Sequence, residues 1–152
     1  MKFANRLEAG RALAPLVASA VAACADLEEY DPPLVLGVDP GGTAVAVAVA
    51  AALGVPLTAL PVVRGDSGVS VELPLEVSGR LVVVVDDGVE TGTAAQMIGQ
   101  AVRAGGAAYT VLAVPVCPRE AEAVLALRFD RVVAVLRPLV RRDLHWHYVD
   151  LT

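Results

Sequence analysis

The stretch LVVVVDDGVETGTAA, residues 81–95, decides how this chain folds. Its first five residues are apolar, and two adjacent carboxylates, Asp86 and Asp87, follow them without a break. A short continuous apolar run that ends in turn-forming residues is typical of a strand covered on both faces. The residues from 93 to 103 are then mostly helix-forming types. The stretch therefore predicts a strand, a turn that carries two carboxylates, and a helix.

The residue types in this turn suit a sugar phosphate. Paired carboxylates accept hydrogen bonds and donate none, which fits the vicinal hydroxyls of a sugar or the water shell of a magnesium ion. Gly88 permits a backbone conformation that a side chain would hinder. The run Thr-Gly-Thr at 91–93 opens the helix, whose free N–H groups favour a phosphate. The alternative is an ordinary turn, with a threonine N-cap and two solvated aspartates.

The rest of the chain alternates apolar runs with helical patterns, which indicates βαβ units and a parallel sheet. The predicted strands are 34–38, 57–63, 81–85, 109–116 and 132–136, and the predicted helices are 5–22, 43–52, 93–103 and 119–127. Residues 64–68 are predicted to form a mobile loop, and residues 69–75 an edge strand or a hairpin arm.

We expect one α/β domain over residues 1–152, with a mostly parallel five-stranded sheet and helices on both faces. The chain would divide into an N-terminal helix at about 5–22, a core at about 33–137 and an aromatic tail at 138–152. Ligands of such sheets bind beyond the carboxyl ends of the strands, and both glycine-rich turns, after Val38 and after Val85, lie at that edge.

The composition excludes several classes of partner. The net charge is −5 and Lys2 is the only lysine, so no basic surface is expected for nucleic acid or an anionic membrane. Cys24 and Cys117 match no disulfide framework, which favours a reducing, cytoplasmic location. The first 30 residues have the early positive charge and apolar run of a signal peptide, but Glu8 and Arg11 interrupt that pattern. The apolar spacing favours a helix instead, and no uninterrupted apolar stretch is long enough to span a membrane.

The run of apolar strand, two acidic residues and Thr-Gly-x-small resembles the signature of type I phosphoribosyltransferases, which bind 5-phosphoribosyl-1-pyrophosphate (PRPP). Three further segments are similar to small bacterial members of that family. They are the opening helix FANRLEAGRALAPLV at 3–17, the strand, pyrophosphate loop and helix LVLGVDPGGTAVAVAVAAALGVPL at 34–57, and the aromatic end HWHYVDL at 145–151.

The resemblance implies a role for each part of the site. Asp86 and Asp87 would hold the ribose hydroxyls together with a magnesium ion. The turn that would bind the 5-phosphate consists of Gly88, Val89, Glu90, Thr91, Gly92, Thr93 and Ala94. The loop that would bind the pyrophosphate consists of Asp39, Pro40, Gly41 and Gly42.

The resemblance also points to two catalytic side chains. Glu90 matches the acid that faces the base in purine-salvage members and assists proton movement there. The alternative is an exposed acid that the helix dipole favours at a helix start. Arg64, in the segment matching the family's flexible loop, would stabilise the departing pyrophosphate. It could equally be a solvated loop residue.

The sequence departs from the family pattern at the pyrophosphate loop. Pro40 stands directly before the two glycines, where the family usually carries Arg or Lys. This replacement removes a cation and an N–H group from the loop. The family often has a strained cis peptide at this point, so the resemblance implies that the Asp39–Pro40 bond is cis, and a cis bond before proline costs only about 0.5–1 kcal/mol.

Together these features predict transfer of the 5-phosphoribosyl group from PRPP, with magnesium, to a nitrogenous base, with a purine favoured and pyrophosphate released. The alternative is a regulatory protein on the same fold that binds PRPP or a nucleotide without turnover. Two departures favour it: Pro40 replaces a cation of the pyrophosphate loop, and the flexible loop has only Arg64 where small family members often have Arg-Lys-Leu-Gly. Trp146 and Tyr148 would form a surface aromatic patch at a homodimer contact, or Trp146 would stack on a bound base. Two other classes fit less well: sugar kinases need a second domain, and a response-regulator receiver needs a late lysine that the chain lacks.

Overall fold

The computed structural model describes residues 2–24 and 31–152. Its strands are β1 (Leu34–Asp39), β2 (Leu57–Gly65), β3 (Gly68–Val71), β4 (Leu81–Val85), β5 (Tyr109–Val116) and β6 (Arg131–Leu136). They form one six-stranded sheet in the order β3-β2-β1-β4-β5-β6. Every neighbouring pair is parallel except β2 and β3, which are antiparallel. The predicted mostly parallel α/β sheet is confirmed, but the predicted count of five strands was wrong by one.

The sixth strand comes from the segment that was predicted to be a mobile loop. Arg64 and Gly65 lie at the end of β2, and Gly68 begins β3, so only Asp66 and Ser67 form the turn between them. Gly68 has a φ of 108°, a conformation that side chains rarely adopt. The prediction of a hairpin arm at 69–75 is confirmed over residues 68–71, and the loop prediction was wrong because two-residue hairpin turns leave little periodic signal.

The helices cover both faces of the sheet. They are α1 (Arg6–Ala22), α2 (Gly41–Leu53), α3 (Thr93–Ala104), α4 (Arg119–Leu125) and α5 (Leu144–His147). The side chains of residues 81, 83 and 85 pack in the cluster with α1 and α2, whereas those of 82 and 84 pack in the cluster with α3 and α4. Because alternate residues of a strand face opposite sides, the five apolar residues of β4 are all buried. This explains the continuous apolar run in the sequence.

The predicted N-terminal helix is confirmed at Arg6–Ala22. Asn5 caps it, because its side-chain oxygen accepts a hydrogen bond of 2.9 Å from the backbone N–H of Glu8. Residues 25–30, the end of the stretch weighed as a signal peptide, lie outside the described residues. Within residues 2–24 and 31–152, none of the helices combines the length and apolar character that crossing a membrane requires.

The helix after β1 begins earlier than predicted. It was expected at residue 43, after the two glycines, but α2 starts at Gly41 and includes them in its first turn. Glycine is a poor helix former, so the sequence favoured a loop there, and packing against the carboxyl edge of β4 overrides that preference. The Asp39–Pro40 peptide bond before this helix is cis, as predicted.

The C-terminal tail returns to the N-terminus. Phe3 and Tyr148 form an isolated parallel β-bridge. The Phe3 N–H donates to the His147 carbonyl at 2.8 Å, and the Val149 N–H donates to the Phe3 carbonyl at 2.8 Å. The rings of Phe3 and Tyr148 lie 5.7 Å apart between centroids. The tail is therefore tied to the segment that leads into α1.

Candidate functional site

A cavity of about 540 Å³ lies at the carboxyl edge of β1 and β4. It brings together all the predicted site residues except Gly42 and Trp146. Its lining consists of Arg6, Val38, Asp39, Pro40, Gly41, Val62, Arg64, Asp86, Asp87, Gly88, Val89, Glu90, Thr91, Gly92, Thr93, Ala94, Ala95 and Leu144. Parallel α/β sheets bind ligands at this edge, so the cavity is the candidate site.

The two carboxylates at the end of β4 have different surroundings. The side chain of Asp86 accepts a hydrogen bond of 2.8 Å from the backbone N–H of Asp87. Burial raises the pKa of Asp86 well above its usual value, and the neighbouring charge of Asp87 raises it further. Asp87 is buried, with 8% of its surface exposed, and its Oδ2 lies 3.1 Å from Arg6 Nε. Among the described residues, Asp87 thus has an ion-pair partner, whereas Asp86 has none and feels only the more distant positive charge of Arg64.

The two glycines of the loop after β1 make room for these carboxylates. A Cβ atom on Gly41 would overlap Oδ2 of Asp87. A Cβ atom on Gly42 would overlap the Val85 carbonyl oxygen and lie 2.9 Å from the Cα of Asp86. Gly42 therefore belongs to the site by supporting the turn after β4, although its own atoms do not line the cavity. Any larger residue would separate the loop from the carboxylates.

The turn at 88–93 offers backbone donors to an anion. Gly88 and Gly92 have φ values of 153° and 87°, which side chains rarely adopt. The helix α3 begins at Thr93, and no side chain caps its first N–H groups. The hydroxyls of Thr91 and Thr93 lie 3.3 Å apart on the same turn. Uncapped N–H groups, two hydroxyls and the helix dipole together favour a phosphate group at this position.

The tail holds this turn from the outside. The Glu90 carboxylate accepts a hydrogen bond of 2.9 Å from the backbone N–H of Leu144. A Cβ atom on Gly88 would overlap Cδ2 of Leu144, so the tail packs directly on the glycine. The Tyr148 hydroxyl donates a hydrogen bond of 2.6 Å to the Asp87 carbonyl. Burial raises the pKa of Tyr148, which keeps this hydroxyl protonated as a donor.

Arg6 and Leu144 line the cavity and were not singled out by the sequence. Tyr148 was predicted on a surface aromatic patch, but that prediction was wrong, because only 3% of its surface is exposed. Arg6 and Tyr148 contact Asp87 across 81 and 61 residues of sequence, and no local pattern reports such a contact. The only available sign was that Arg6 and Tyr148 fall in the segments that resemble the opening helix and the aromatic end of the family.

Trp146 lies outside the cavity. Its ring is flanked by Lys2 Nζ at 4.9 Å and by the Arg142 guanidinium at 4.2 Å from the ring centroid. The neighbouring residues His147 and Tyr148 are buried, whereas Trp146 is 49% exposed. The short helix α5 thus turns Trp146 toward solvent, where two cations stack on it.

A second cavity of about 420 Å³ adjoins the first, and Glu90 and Thr91 line both. Its remaining lining is apolar except for two charged side chains. The remaining lining residues are Pro118, Glu120, Ala121, Val124, Leu139 and Arg141, of which Glu120 and Arg141 are charged. A ligand that occupies both cavities would pass Glu90.

The residues that could hold a metal ion are the two carboxylates. In the part of the chain that the structure describes, no three His, Cys, Asp or Glu side chains cluster as a metal site. A magnesium ion commonly takes one or two carboxylates and completes its shell with substrate phosphates and water. Asp86 has no ion-pair partner in the described residues, and a dication would offset the negative charge that burial disfavours. The pair therefore fits a magnesium ion that arrives with an anionic ligand.

Comparison with known proteins agrees with this geometry. The family model "Phosphoribosyl transferase domain" matches residues 4–132. "Putative phosphoribosyl transferase Rv0571c" of Mycobacterium tuberculosis is 42% identical over 64 residues, which are 42% of this chain and 14% of that protein. The chain thus matches only a small part of the length of this relative.

Two solved structures share the fold. The protein TT1426 from Thermus thermophilus is 26% identical with a TM-score of 0.78, over 99% of this chain and 91% of that one. A purine phosphoribosyltransferase from Pyrococcus horikoshii is 23% identical with a TM-score of 0.62, over 89% of this chain and 94% of that one. The second likeness concerns the fold alone.

Proposed function

The chain belongs to the phosphoribosyl transferase domain family, and on that premise we propose that it binds PRPP and transfers the 5-phosphoribosyl group to a nitrogenous base. Pyrophosphate is the second product. One observation carries the proposal. The carboxylates Asp86 and Asp87, the uncapped start of α3 and the loop at 39–42 line a single cavity of about 540 Å³. A sugar bearing a phosphate at one end and a diphosphate at the other needs these three kinds of group.

Each part of the ligand has a complementary part of the cavity. Asp86 and Asp87 accept hydrogen bonds from the ribose hydroxyls, since ionised carboxylates are acceptors only. The turn from Gly88 to Ala94 donates N–H and hydroxyl groups to the 5-phosphate. The loop at 39–42 lies beside the carboxylates and faces the pyrophosphate. Holding the sugar at three points orients its reacting carbon toward the acceptor.

The carboxylate pair would also hold the magnesium ion. When bound, this ion neutralises charge on the departing pyrophosphate. Arg64 lines the cavity from the end of β2 and adds a guanidinium there. We propose that Arg64 contributes to pyrophosphate departure from this position.

The second cavity is the proposed place of the acceptor base, with a purine favoured by the resemblance. Glu90 lies between the two cavities, and one of its carboxylate oxygens accepts from Leu144. The other carboxylate oxygen has no hydrogen-bond donor among the described residues. It can therefore accept a hydrogen bond from an N–H group of the base. We propose that Glu90 both positions the tail and assists proton movement at the base.

A regulatory protein that binds the same ligand without turnover is the second candidate. Pro40 leaves the loop at 39–42 without a side-chain cation, and Glu90 is already engaged by the tail. The missing cation affects the binding of the leaving pyrophosphate, and the engaged Glu90 affects the acceptor base. Neither feature lies in the groups proposed to bind the sugar. Binding without pyrophosphate release would therefore distinguish this candidate.

Calorimetric titration with PRPP, with and without magnesium, tests the proposal. We expect magnesium-dependent binding by the wild-type protein and a loss of about 10-fold or more in Asp87→Asn, since a charge-assisted hydrogen bond contributes roughly 1.5–3 kcal/mol. Asp66→Asn, at the exposed hairpin turn, is the matched control and should bind like the wild type. Well-folded protein that does not bind PRPP would refute the proposal. Screening bases for pyrophosphate release then separates the enzyme from the regulator.

A homodimer and a cytoplasmic location stay predictions. Leu139, Val140, Trp146 and Val149 are exposed apolar residues of the tail, and such residues favour a subunit contact. Sedimentation equilibrium would measure the mass of the assembly, and a monomer at micromolar concentration would contradict the dimer. Cys24 and Cys117 are free thiols, which is compatible with a reducing location.

A further inference from the structure

The loop at 39–42 contributes no side-chain cation to the cavity, and Pro40 contributes no N–H group. The loop itself carries Asp39, and its neighbours Asp86 and Asp87 are also acidic. An anion placed against this loop therefore needs a cation from elsewhere in the fold. Among the lining residues only Arg6 and Arg64 carry a positive charge.

Arg6 lies where the loop and the carboxylates meet. Its Nε is 3.1 Å from Asp87 Oδ2 and 3.3 Å from the position that a Cβ atom of Gly41 would take. The guanidinium therefore contacts the turn after β4 and lies beside the first glycine of the loop. Because Gly41 has no side chain, Arg6 and Asp87 can both reach this position.

The close packing of α1 on α2 fixes the place of Arg6. A Cβ atom on Gly10 would overlap the Val45 carbonyl oxygen, so the two helices touch at the backbone. Leu13 is fully buried in the cluster beneath them. Before Arg6, Asn5 caps the helix. The backbone that carries this guanidinium is thus held in advance of any ligand.

The guanidinium has donors to spare. It carries five N–H donors in a planar fork and a positive charge. Its hydrogen bonds in the described residues are one from Nε to Asp87 and one of 3.5 Å from Nη1 to the Thr152 carbonyl. Three-quarters of its side chain is shielded, with a relative exposure of 24%. A shielded guanidinium with free donors in a cavity suits a polyvalent anion.

We propose that Arg6 supplies the cation for the diphosphate end of the ligand at the loop 39–42, and that Asp87 holds this guanidinium in position before the ligand binds. The identity of the anion rests on the proposed function. Asp87 thereby serves both ends of the ligand, because it accepts from the ribose hydroxyls and orients Arg6. Arg6 replaces, from a different helix, the charge that Pro40 cannot provide.

Two partial ligands separate this role from a structural one. Inorganic pyrophosphate with magnesium tests the diphosphate end, and ribose 5-phosphate tests the sugar end. We expect Arg6→Gln to weaken pyrophosphate binding by about 10-fold or more, and ribose 5-phosphate binding by less than about 3-fold. Arg6→Lys, which keeps the charge, should recover part of the loss. Arg11→Gln is the matched control, because Arg11 is exposed on the same helix and pairs only with Glu8.

The results have distinct consequences. An equal or larger loss for ribose 5-phosphate would mean that Arg6 only orients Asp87, and would overturn the inference. Unchanged pyrophosphate binding in Arg6→Gln, with normal binding by the wild type, would overturn it and leave the proposed function intact. Wild-type protein that binds neither ligand would overturn both. Should Arg6→Gln fail to fold, the ratio of the two affinities in Arg6→Lys decides by the same criterion.

Discussion

The turn after β4 and the loop after β1 lie side by side at the carboxyl edge of the sheet, yet they contribute opposite kinds of group. The turn contributes side chains, with Asp86 and Asp87 at its start and two threonine hydroxyls near its end. The loop contributes backbone that approaches closely, because Gly41 and Gly42 have no side chains that would overlap the carboxylate turn. Each segment therefore has the composition that the other requires.

The difference also concerns where charge comes from. The turn after β4 carries its acids as adjacent residues, so they can be recognised directly in the sequence. The loop after β1 takes its nearest cation from Arg6, which lies 81 residues before its partner Asp87. Acidic chemistry at this site is therefore local in sequence, whereas basic chemistry is assembled by the fold.

The largest expected effect comes from breaking the fit between the two segments. Gly42→Ala puts a Cβ atom into the backbone of Val85 and Asp86, which cannot yield as a flexible side chain would. We expect a loss of about 2–3 kcal/mol in the free energy of unfolding, measured by urea denaturation, and a loss of PRPP binding. Gly65→Ala is the control, because a Cβ atom there meets nothing within 4 Å. Equal stability of the two variants would show that the segments are not interlocked.

Asp86→Asn tests the turn after β4, and we expect it to weaken ligand binding but to raise the stability of the protein. We expect ribose 5-phosphate to bind about 10- to 100-fold more weakly, because a charge-assisted hydrogen bond is lost. Stability should rise instead. Burial raises the pKa of Asp86 above 3.8, so the folded protein holds that proton more tightly than the unfolded chain does. The contribution of Asp86 to the free energy of unfolding therefore falls as the pH rises above 3.8.

The asparagine side chain in the Asp86→Asn variant does not ionise, so this variant does not undergo that decrease in stability as the pH rises. In metal-free buffer, its urea midpoint should exceed the wild-type midpoint at pH 8, and the excess should shrink toward pH 4. A lower midpoint than the wild type at pH 8 would contradict the raised pKa of Asp86, which is half-buried.

Tyr148→Phe tests how the tail supports the turn. The variant removes the hydroxyl that donates to the Asp87 carbonyl and leaves a buried acceptor without its partner. We expect the free energy of unfolding to fall by about 1–2 kcal/mol in urea denaturation. The affinity for ribose 5-phosphate should fall as well, since the carboxylate of Asp87 is attached to the backbone that this hydrogen bond holds. A variant with wild-type stability would mean that water replaces the hydroxyl.

The smallest expected effect concerns Glu90 and separates its two proposed roles. Glu90→Ala removes the acceptor for the Leu144 N–H and should lower the free energy of unfolding by about 0.5–1.5 kcal/mol. Glu90→Gln keeps an acceptor oxygen and should stay near the wild type in stability while lowering the rate of pyrophosphate release. If Gln lowers stability as much as Ala does, the charge rather than the hydrogen bond attaches the tail.

Much of the fold was predictable because it depends on local patterns. The strands at 81–85 and 109–116 matched their predicted ranges, since continuous apolar runs with turn residues at their ends leave few alternatives. The hairpin turn at 66–67 and the start of α2 at Gly41 were not predicted. The turn is too short to leave a periodic signal, whereas the start of α2 depends on contacts with the end of β4 that override the low helix propensity of glycine.

The same division holds for the candidate site. The acids and the glycines were found from one short stretch and one loop, because adjacent residues at a strand end share an edge of the sheet. Arg6, Leu144 and Tyr148 could not be found, because their places depend on how α1 and the tail pack across the site. Trp146 was placed in the site from its residue type, and the structure turns it toward solvent.

The bridge between Phe3 and Tyr148 bears on the order in which the protein folds. It closes nearly the whole described chain into a loop, and the nearby contact of Arg6 with Thr152 spans 146 residues. Contacts between such distant residues form late, because ordering the intervening chain must come first. Trp146 is the only tryptophan and lies in this tail, so its fluorescence reports the event. We expect that signal to recover after the far-UV circular dichroism of the sheet, and ligand capture to recover with it, so that binding is the last property the refolding chain regains.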